Sequence, residues 1–305
     1  MDTRKIGSLI VSVVGVGCNN FGPRLNADAT REVVHAALDA GVNFFDTADV
    51  YGKGLSEEYL GRALGTRRGE VVLATKFGMK MGDDLQGARP EYIRGAVEES
   101  LRRLGTDHID LYQLHTPDPA VPIADTLGAL DELVRAGKVR EIGCSNFSVD
   151  QLRAAREAAP GARFASVQNE YSLFHRAPEA GVLDECRREG IAFIPYFPLA
   201  SGLLTGKYRQ GQAPPPGTRI TSGGRYEGLL SAANLERVEK LARYAESRGH
   251  TLLELAFAWL LARGEVVSVI AGATSAAQIR SNAAAATWRM TEEEHAEAAA
   301  LVPPR

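Results

Sequence analysis

Short β-branched runs alternate along the chain with longer stretches in which apolar residues return every three or four positions. The runs fall at 13–17, 42–45, 71–75, 109–114, 139–144, 165–168, 191–196 and 266–270. They are short enough for strands, and they are rich in Val, Ile and Phe. Between them, Val33, Val34, Ala37 and Leu38 share a helical face, as do Ile93, Val97, Leu101 and Leu104, and Ile123, Leu127, Leu130, Leu133 and Val134. Gly41, Gly105 and Gly137 follow these three helices, where a left-handed cap costs glycine least. Asp28, Pro90 and the Ser148/Gln151 and Thr251/Glu254 pairs mark helix starts. Strands alternating with helices imply parallel pairing through right-handed crossovers. Eight such units predict an α/β fold, a closed (β/α)8 TIM barrel filling 1–305 as one domain. A hairpin over 5–10, turning at Gly7-Ser8, is expected to plug one end. The stretch 199–230 is too long for an ordinary connection, and so reads as functional or disordered. It is not a domain linker, because the eighth strand follows it.

Composition narrows the function classes. Hydrophobic residues make up 45% and charged residues 24% of the chain, which suits a soluble globular protein. The net charge is −3 with acid and base interspersed, and the short runs Arg67-Arg68, Arg102-Arg103 and Arg187-Arg188 read as solvated helix ends. No nucleic-acid partner is therefore expected. No apolar run reaches the roughly 18 residues needed to span a bilayer. The start, MDTRKIGSLIVSVVGVG, lacks the pattern of a signal peptide. Cys18, Cys144 and Cys186 are odd in number and form no C-x-x-C, which argues for a reducing compartment, and the chain is expected in the cytoplasm. The six histidines show no H-x-x-x-H pairing, so no metal is expected. Gly15-Val16-Gly17 opens like a dinucleotide fingerprint but meets Asn20 at the third glycine position, with Pro23 behind it. Gly202 to Lys207 resembles a phosphate loop with too few residues between its glycines and Tyr208 where Ser or Thr is required. There is no G-x-S-x-G.

Polar residues gather where apolar strands end. Asp46 closes Val-Asn-Phe-Phe-Asp, Lys76 closes Val-Val-Leu-Ala-Thr-Lys, and His115 closes Ile-Asp-Leu-Tyr-Gln-Leu-His. Tyr51 follows Asp46 in the loop Thr-Ala-Asp-Val-Tyr-Gly. In a barrel of this kind, the C-terminal strand ends carry catalytic groups, and successive strands bring these four to one mouth. A lysine beside a phenol favours the phenolate, and an aspartate keeps that lysine charged. The expected result is a tyrosine able to act as general acid near neutral pH, with a histidine donating to the same oxygen. Each residue has an ordinary reading as a strand-terminal polar group meeting solvent. The complementary set on three adjacent strand mouths favours chemistry.

With those residues in view, the chain resembles the aldo-keto reductase family along nearly its whole length. The matching stretches include Phe-Phe-Asp-Thr-Ala-Asp-Val-Tyr-Gly (44–52), Ala-Thr-Lys-Phe-Gly (74–78), Asp-Leu-Tyr-Gln-Leu-His (110–115) and Gly-Lys-Val-Arg-Glu-Ile-Gly-Cys-Ser-Asn-Phe (137–147). Gln168-Asn169, the segment from Pro195 through Tyr208, and 270–282 continue the match. The resemblance implies a catalytic tetrad of Asp46, Tyr51, Lys76 and His115, with Tyr51 as acid in reduction and base in oxidation. It implies an extended NADPH, with NADH as the lesser alternative. Ser145, Asn146 and Gln168 would bond the carboxamide, Tyr196 would stack on the nicotinamide, and Asp46 would border it. The stretch from Leu199 to Lys207, with Gly202 and Leu204, would hold the pyrophosphate, Phe197 and Pro198 would also contact the cofactor, and Gly272, Thr274, Gln278 and Asn282 match the adenosine end.

Ordinary roles remain open for some of these. Gln278 is spaced from Ser275 as a capping box, Tyr196 could be barrel packing, Ser145-Asn146 a turn, and Lys207 a solvated lysine. Phe197 and Ser281 depart from the family pattern of serine and glutamate, and Gly272 cannot supply the cation that some relatives place there for a 2′-phosphate. Lys207 and Arg219 match basic positions in relatives that share this glycine, and are expected to supply it. Potassium-channel β subunits are also distantly similar, but they carry asparagine at the position of His115. A sugar dehydrogenase using the same tetrad is the other alternative. The chain stops at Arg305 soon after a helix at 291–301, without the longer C-terminal loop of steroid-binding relatives, so an open pocket for small carbonyl substrates is expected. A monomer or weak homo-oligomer is expected.

Overall fold

The structure, a computed structural model, describes residues 1–83, 85–159, 161–222 and 226–303. Arg305 and part of the 199–230 stretch thus lie outside the described residues. Two antiparallel strands, β1 (Thr3–Ile6) and β2 (Leu9–Ser12), form the hairpin. Gly7 takes φ 54° in its turn, a region that favours glycine. Eight parallel strands follow: β3 (Val14–Gly17), β4 (Phe44–Asp46), β5 (Val72–Phe77), β6 (Ile109–Leu114), β7 (Val139–Ser145), β8 (Phe164–Glu170), β9 (Ala192–Tyr196) and β10 (Val269–Ala271). Their order is β10-β3-β4-β5-β6-β7-β8-β9. The seam between β9 and β10 is closed by Phe193, which bonds Glu265 and Val267 at 2.8 and 3.0 Å through the main chain. The (β/α)8 barrel is therefore present with its hairpin.

Helices return the chain between strands. Among them are α1 (Ala27–Asp39), α2 (Leu55–Leu64), α3 (Pro90–Leu104), α4 (Ile123–Arg135), α5 (Val149–Ala158) and α6 (Val182–Glu189). Beyond β9 come α7 (Ala232–Glu246) and α8 (Leu252–Leu261), and beyond β10 come α9 (Ala276–Ala284) and α10 (Glu292–Ala300). Pro90 opens α3, and full capping boxes form at Ser148/Gln151 and Thr251/Glu254. Gly41, Gly105 and Gly137 all take positive φ. The start of α1 needs correction. Asn26 caps it by accepting from Ala29 N at 2.9 Å, while Asp28 sits in the first turn and pairs with Arg31. Ser275 caps α9, but Gln278 turns its side chain to the Thr274 N–H at 2.8 Å, so the reciprocal half of that capping box is not made.

The period of two along a strand sorts the interior by height. Phe44 and Asp46 on β4, Val72, Ala74 and Lys76 on β5, and Leu111 and Gln113 on β6 follow this parity. The lower, apolar members pack with Ile6, Leu9 and Val11 of the hairpin, together with Ile194, Val267 and Ile270. That layer fills the N-terminal end and makes the hairpin a plug. Polar members are left at the C-terminal mouth. A second, larger core lies between the sheet and the helices. Among the described residues, no helix is long and apolar enough to cross a membrane.

Candidate active site

Asp46 ends β4, and its carboxylate is the hub of the mouth. Lys76 Nζ donates to Asp46 Oδ2 at 2.5 Å and to the Thr47 carbonyl at 2.9 Å. Both Lys76 and Asp46 are buried, at 0% and 2% exposure, so each charge depends on the other. Burial opposes the lysine's charge, but Asp46 first and Tyr51 next outweigh it and raise its pKa. Lys76 therefore stays an ammonium.

Tyr51 opens a short turn, Tyr51–Gly54, in which Gly52, Lys53 and Gly54 all take positive φ. That sharp bend brings the ring back over the mouth. Lys76 Nζ lies 5.2 Å from the Tyr51 ring centroid. The His115 ring meets Tyr51 edge-on at 5.8 Å. Burial pushes the phenol above its ordinary value, and the opposing pull of Lys76 does not cancel it. From its residues alone, the mouth promised a phenol brought toward neutrality. In the folded chain the hydroxyl keeps its proton at neutral pH, because desolvation exceeds the lysine's field.

His115 is anchored by its own N–H to the Phe77 carbonyl at 2.9 Å. Burial first, and Lys76 second, lower its pKa to about 3, so it is neutral near pH 7. Its Nδ1 is buried without a partner, which leaves Nε2 as the nitrogen for a molecule in the mouth. The four residues together can hold a carbonyl oxygen between a protonated phenol and a neutral imidazole.

The neighbouring residues expected at the cofactor also converge. Ser145 Oγ donates to the Gln168 carbonyl at 2.7 Å. Asn146, with φ 63°, donates through Nδ2 to the His115 carbonyl at 3.0 Å and accepts from the Tyr196 hydroxyl at 2.9 Å. Tyr196 is half-buried, so its ring belongs to the mouth as well as to packing. Gln168 donates to Asp46 Oδ1 at 3.0 Å. Gln113, which sequence reasoning missed, donates to the same oxygen at 2.9 Å.

Phe197, Ala200 and Ser201 hold left-handed backbone, as does Gly202. Within this turn the Ala200 and Gly202 N–H groups donate to the Phe197 and Leu199 carbonyls, both at 2.9 Å. Pro198, Leu199 and Leu204 are buried beneath this turn, and the Leu204 N–H donates to the Leu199 carbonyl at 3.2 Å. Lys207 is held below its usual pKa by burial, then by Arg24 and Arg219. Among the described residues, neither Arg24 nor Lys207 has a carboxylate partner. Arg219 donates to Asn20 Oδ1 at 3.0 Å and covers the Phe197 ring at 5.8 Å. A Cβ on Gly272 would meet Asn20 Nδ2 at 3.2 Å and Asn19 Oδ1 at 3.3 Å, so Arg219 and Gly272 share these asparagines. Thr274 bonds Gln278 nearby, and Asn282 is buried on α9. Three cations, Lys207, Arg219 and Arg24, gathered beside this left-handed backbone fit a phosphate-bearing dinucleotide. Arg24, Asn19 and Asn20 were not foreseen. Among the described residues, no cluster of His, Cys, Asp or Glu could hold a metal ion.

Fold and mouth together define an α/β-barrel oxidoreductase site. The model of the Aldo/keto reductase family matches residues 13–303, and the chain belongs to that family, whose members act on carbonyl groups. It is 37% identical to aldo-keto reductase yakc of Schizosaccharomyces pombe, a name that carries NADP(+), over 95% of this chain and 88% of that protein. A glycerol dehydrogenase of Gluconobacter oxydans superposes with a TM-score of 0.87 at 33% identity, covering 98% of this chain and 94% of that one. An aldo/keto reductase of Klebsiella pneumoniae, solved with NADP and acetate, gives 0.79 at 30%, covering 97% and 93%.

Proposed function

We propose that this chain reduces aldehydes or ketones to alcohols with NADPH, and that Tyr51 is the proton donor. The observation that carries the reading is the Tyr51 ring set between Lys76 and His115, with Lys76 paired to the buried Asp46 carboxylate. Bound NADPH supplies a hydride. Residues on this chain do the rest. His115 Nε2 donates to the carbonyl oxygen and orients it, and Tyr51 passes its proton to that oxygen as the alkoxide develops. Lys76, kept cationic by Asp46, stabilises the phenolate left behind. Ser145, Asn146 and Gln168 would hold the carboxamide, and Tyr196 would pack against the nicotinamide ring. The phosphates fall to the left-handed loop at 197–202 and to Lys207, Arg219 and Arg24.

A second reading, alcohol or sugar oxidation, is favoured by the glycerol dehydrogenase likeness. The raised phenol argues against it near pH 7, because oxidation requires the phenolate as base. The test is to compare initial rates in both directions across small aldehydes, ketones, polyols and aldoses between pH 6 and pH 9. Reduction should dominate near neutrality and weaken as pH rises, while oxidation gains. Oxidation exceeding reduction throughout would reverse the direction, and no turnover in either would reject the reading.

A further inference from the structure

Gln113 stands in β6 two residues before His115, on the same parity, and it is fully buried. Its register neighbours are Lys76 on β5 and Gly143 on β7. A Cβ on Gly143 would lie 3.1 Å from Gln113 Cγ and 2.4 Å from Ser166 Oγ, so the glycine makes room for the amide. Gln113 Nε2 donates to Asp46 Oδ1, and Gln113 Oε1 accepts from Gln168 Nε2 at 3.3 Å. Gln168 Nε2 also donates to Asp46 Oδ1. These three side chains close a triangle. Lys76 occupies the other carboxylate oxygen.

A carboxylate only accepts, so it fixes the sense of both amides. Each must turn its NH2 group toward Asp46. Gln168 then has both N–H bonds committed inward, and only its Oε1 remains for a molecule in the mouth. Without Gln113, Gln168 would lose one of the two acceptors that fix its amide, and Asp46 would lose a charge-assisted hydrogen bond in a dry site. Lys76 would then sit opposite a less restrained carboxylate.

We propose that Gln113 is a positioning residue that locks the Asp46 carboxylate under Lys76 and sets the Gln168 amide with its oxygen toward the cofactor. One group thereby ties the proton-donating side of the mouth to the carboxamide side. The inference rests on the reading of Tyr51–Lys76 and Gln168 given above.

Two variants test it. Gln113→Glu keeps the shape and makes the network conditional on pH. When protonated, the new carboxyl donates to Asp46 and accepts from Gln168, as the amide does. When ionised, it places a second negative charge against Asp46 and loses its donor. Burial and Asp46 both push its pKa above the ordinary value of about 4.3. The ratio of variant to wild-type kcat should therefore start near one at the acid end of the range. It should fall roughly tenfold or more as pH rises toward 8, the scale of a hydrogen bond to a charged group. Gln113→Met should lose kcat by a similar factor at every pH and weaken NADPH binding several-fold. Binding is read by quenching of protein fluorescence, and folding by thermal unfolding. A merely structural residue gives no new titration. A kcat ratio for Gln113→Glu that is flat from pH 5 to 8, or a folded Gln113→Met with wild-type kcat and Kd, would overturn the proposal. If the wild type binds NADPH but reduces nothing, the functional reading fails. The Gln113→Glu Kd for NADPH across the same pH range still decides this inference, rising with pH if it holds and parallel to wild type if it does not.

Discussion

Asp49 begins the turn that carries Tyr51, and its main-chain N–H bonds the Lys76 carbonyl at 3.1 Å. Its carboxyl is buried; among the described residues Oδ1 has no hydrogen-bond partner, and the Tyr92 hydroxyl donates to Oδ2 at 3.5 Å. Burial first, and the neighbouring Glu57 charge second, push its pKa up to about 7. A carboxyl raised in the folded state stabilises the fold below its unfolded value of 3.8, and that contribution is lost as pH rises through about 7. His115 acts with the opposite sign, since its proton is excluded on folding and stability falls as pH drops from 6.5 toward 3. Asp49→Asn removes the charge at almost constant shape. Denaturant unfolding should find the variant more stable than wild type at pH 8 by about 2–4 kcal/mol, since moving a pKa by one costs roughly 1.4 kcal/mol. The difference should vanish near pH 4. Equal stabilities at pH 8 would show that the Asp49 carboxyl is solvated or paired. The sequence sets Asp46 at the end of an apolar run and Asp49 in the loop beyond it, but says nothing of how either carboxyl is paired. Both are 2% exposed, and the difference lies in their partners: Lys76, Gln113 and Gln168 donate to Asp46, while Asp49 has the distant Tyr92 hydroxyl, a contrast that spacing alone does not reveal.

At the scale of elements, strands were legible because a buried parallel strand is a continuous apolar run. The upper ends of β3, β6 and β9 were legible too, but β4, β5, β7, β8 and β10 run one or two residues further than their apolar runs. Asp46 pairs in register with Ala74, Lys76 with Gln113, and Ser145 with Gln168. The eighth run divides at Ser268. Residues before it bond Phe193 of β9, and those after it pair with β3, so a single run expected at 266–270 serves two neighbours. Gln113 was within reach of the sequence, as a polar residue inside an apolar run on the parity of His115. Arg24 was not, because only folding brings its loop to the 199–230 stretch, where it bonds the Gly217 carbonyl at 3.1 Å. That stretch carries the cofactor prediction. Arg219→Ala should weaken NADPH by roughly 1.5–3 kcal/mol while NADH changes little. The range is that of hydrogen bonds to a charged group, and only NADPH has the 2′-phosphate. Equal losses for both cofactors, measured by equilibrium titration, would move Arg219 to the adenine or pyrophosphate. A wild-type preference for NADH would rule out recognition of the 2′-phosphate altogether.

Over the whole molecule, the apolar contact between hairpin and lower barrel closes one end and leaves polar strand termini at the other. The non-glycine residues with positive φ among those described, Lys53, Asn146, Phe197, Ala200 and Ser201, all follow strands at that open end. Backbone strain of this kind persists where surrounding structure holds it, and here it surrounds the proposed site. The proposed chemistry stands or falls on Tyr51 delivering the proton to the carbonyl oxygen. Its most direct test is kcat for NADPH-dependent carbonyl reduction by Tyr51→Phe, with NADPH Kd measured on the same protein. A loss of more than about 100-fold in kcat is expected, the scale of general acid catalysis, with Kd within about twofold of wild type. A Tyr51→Phe variant with near wild-type kcat would contradict the assignment.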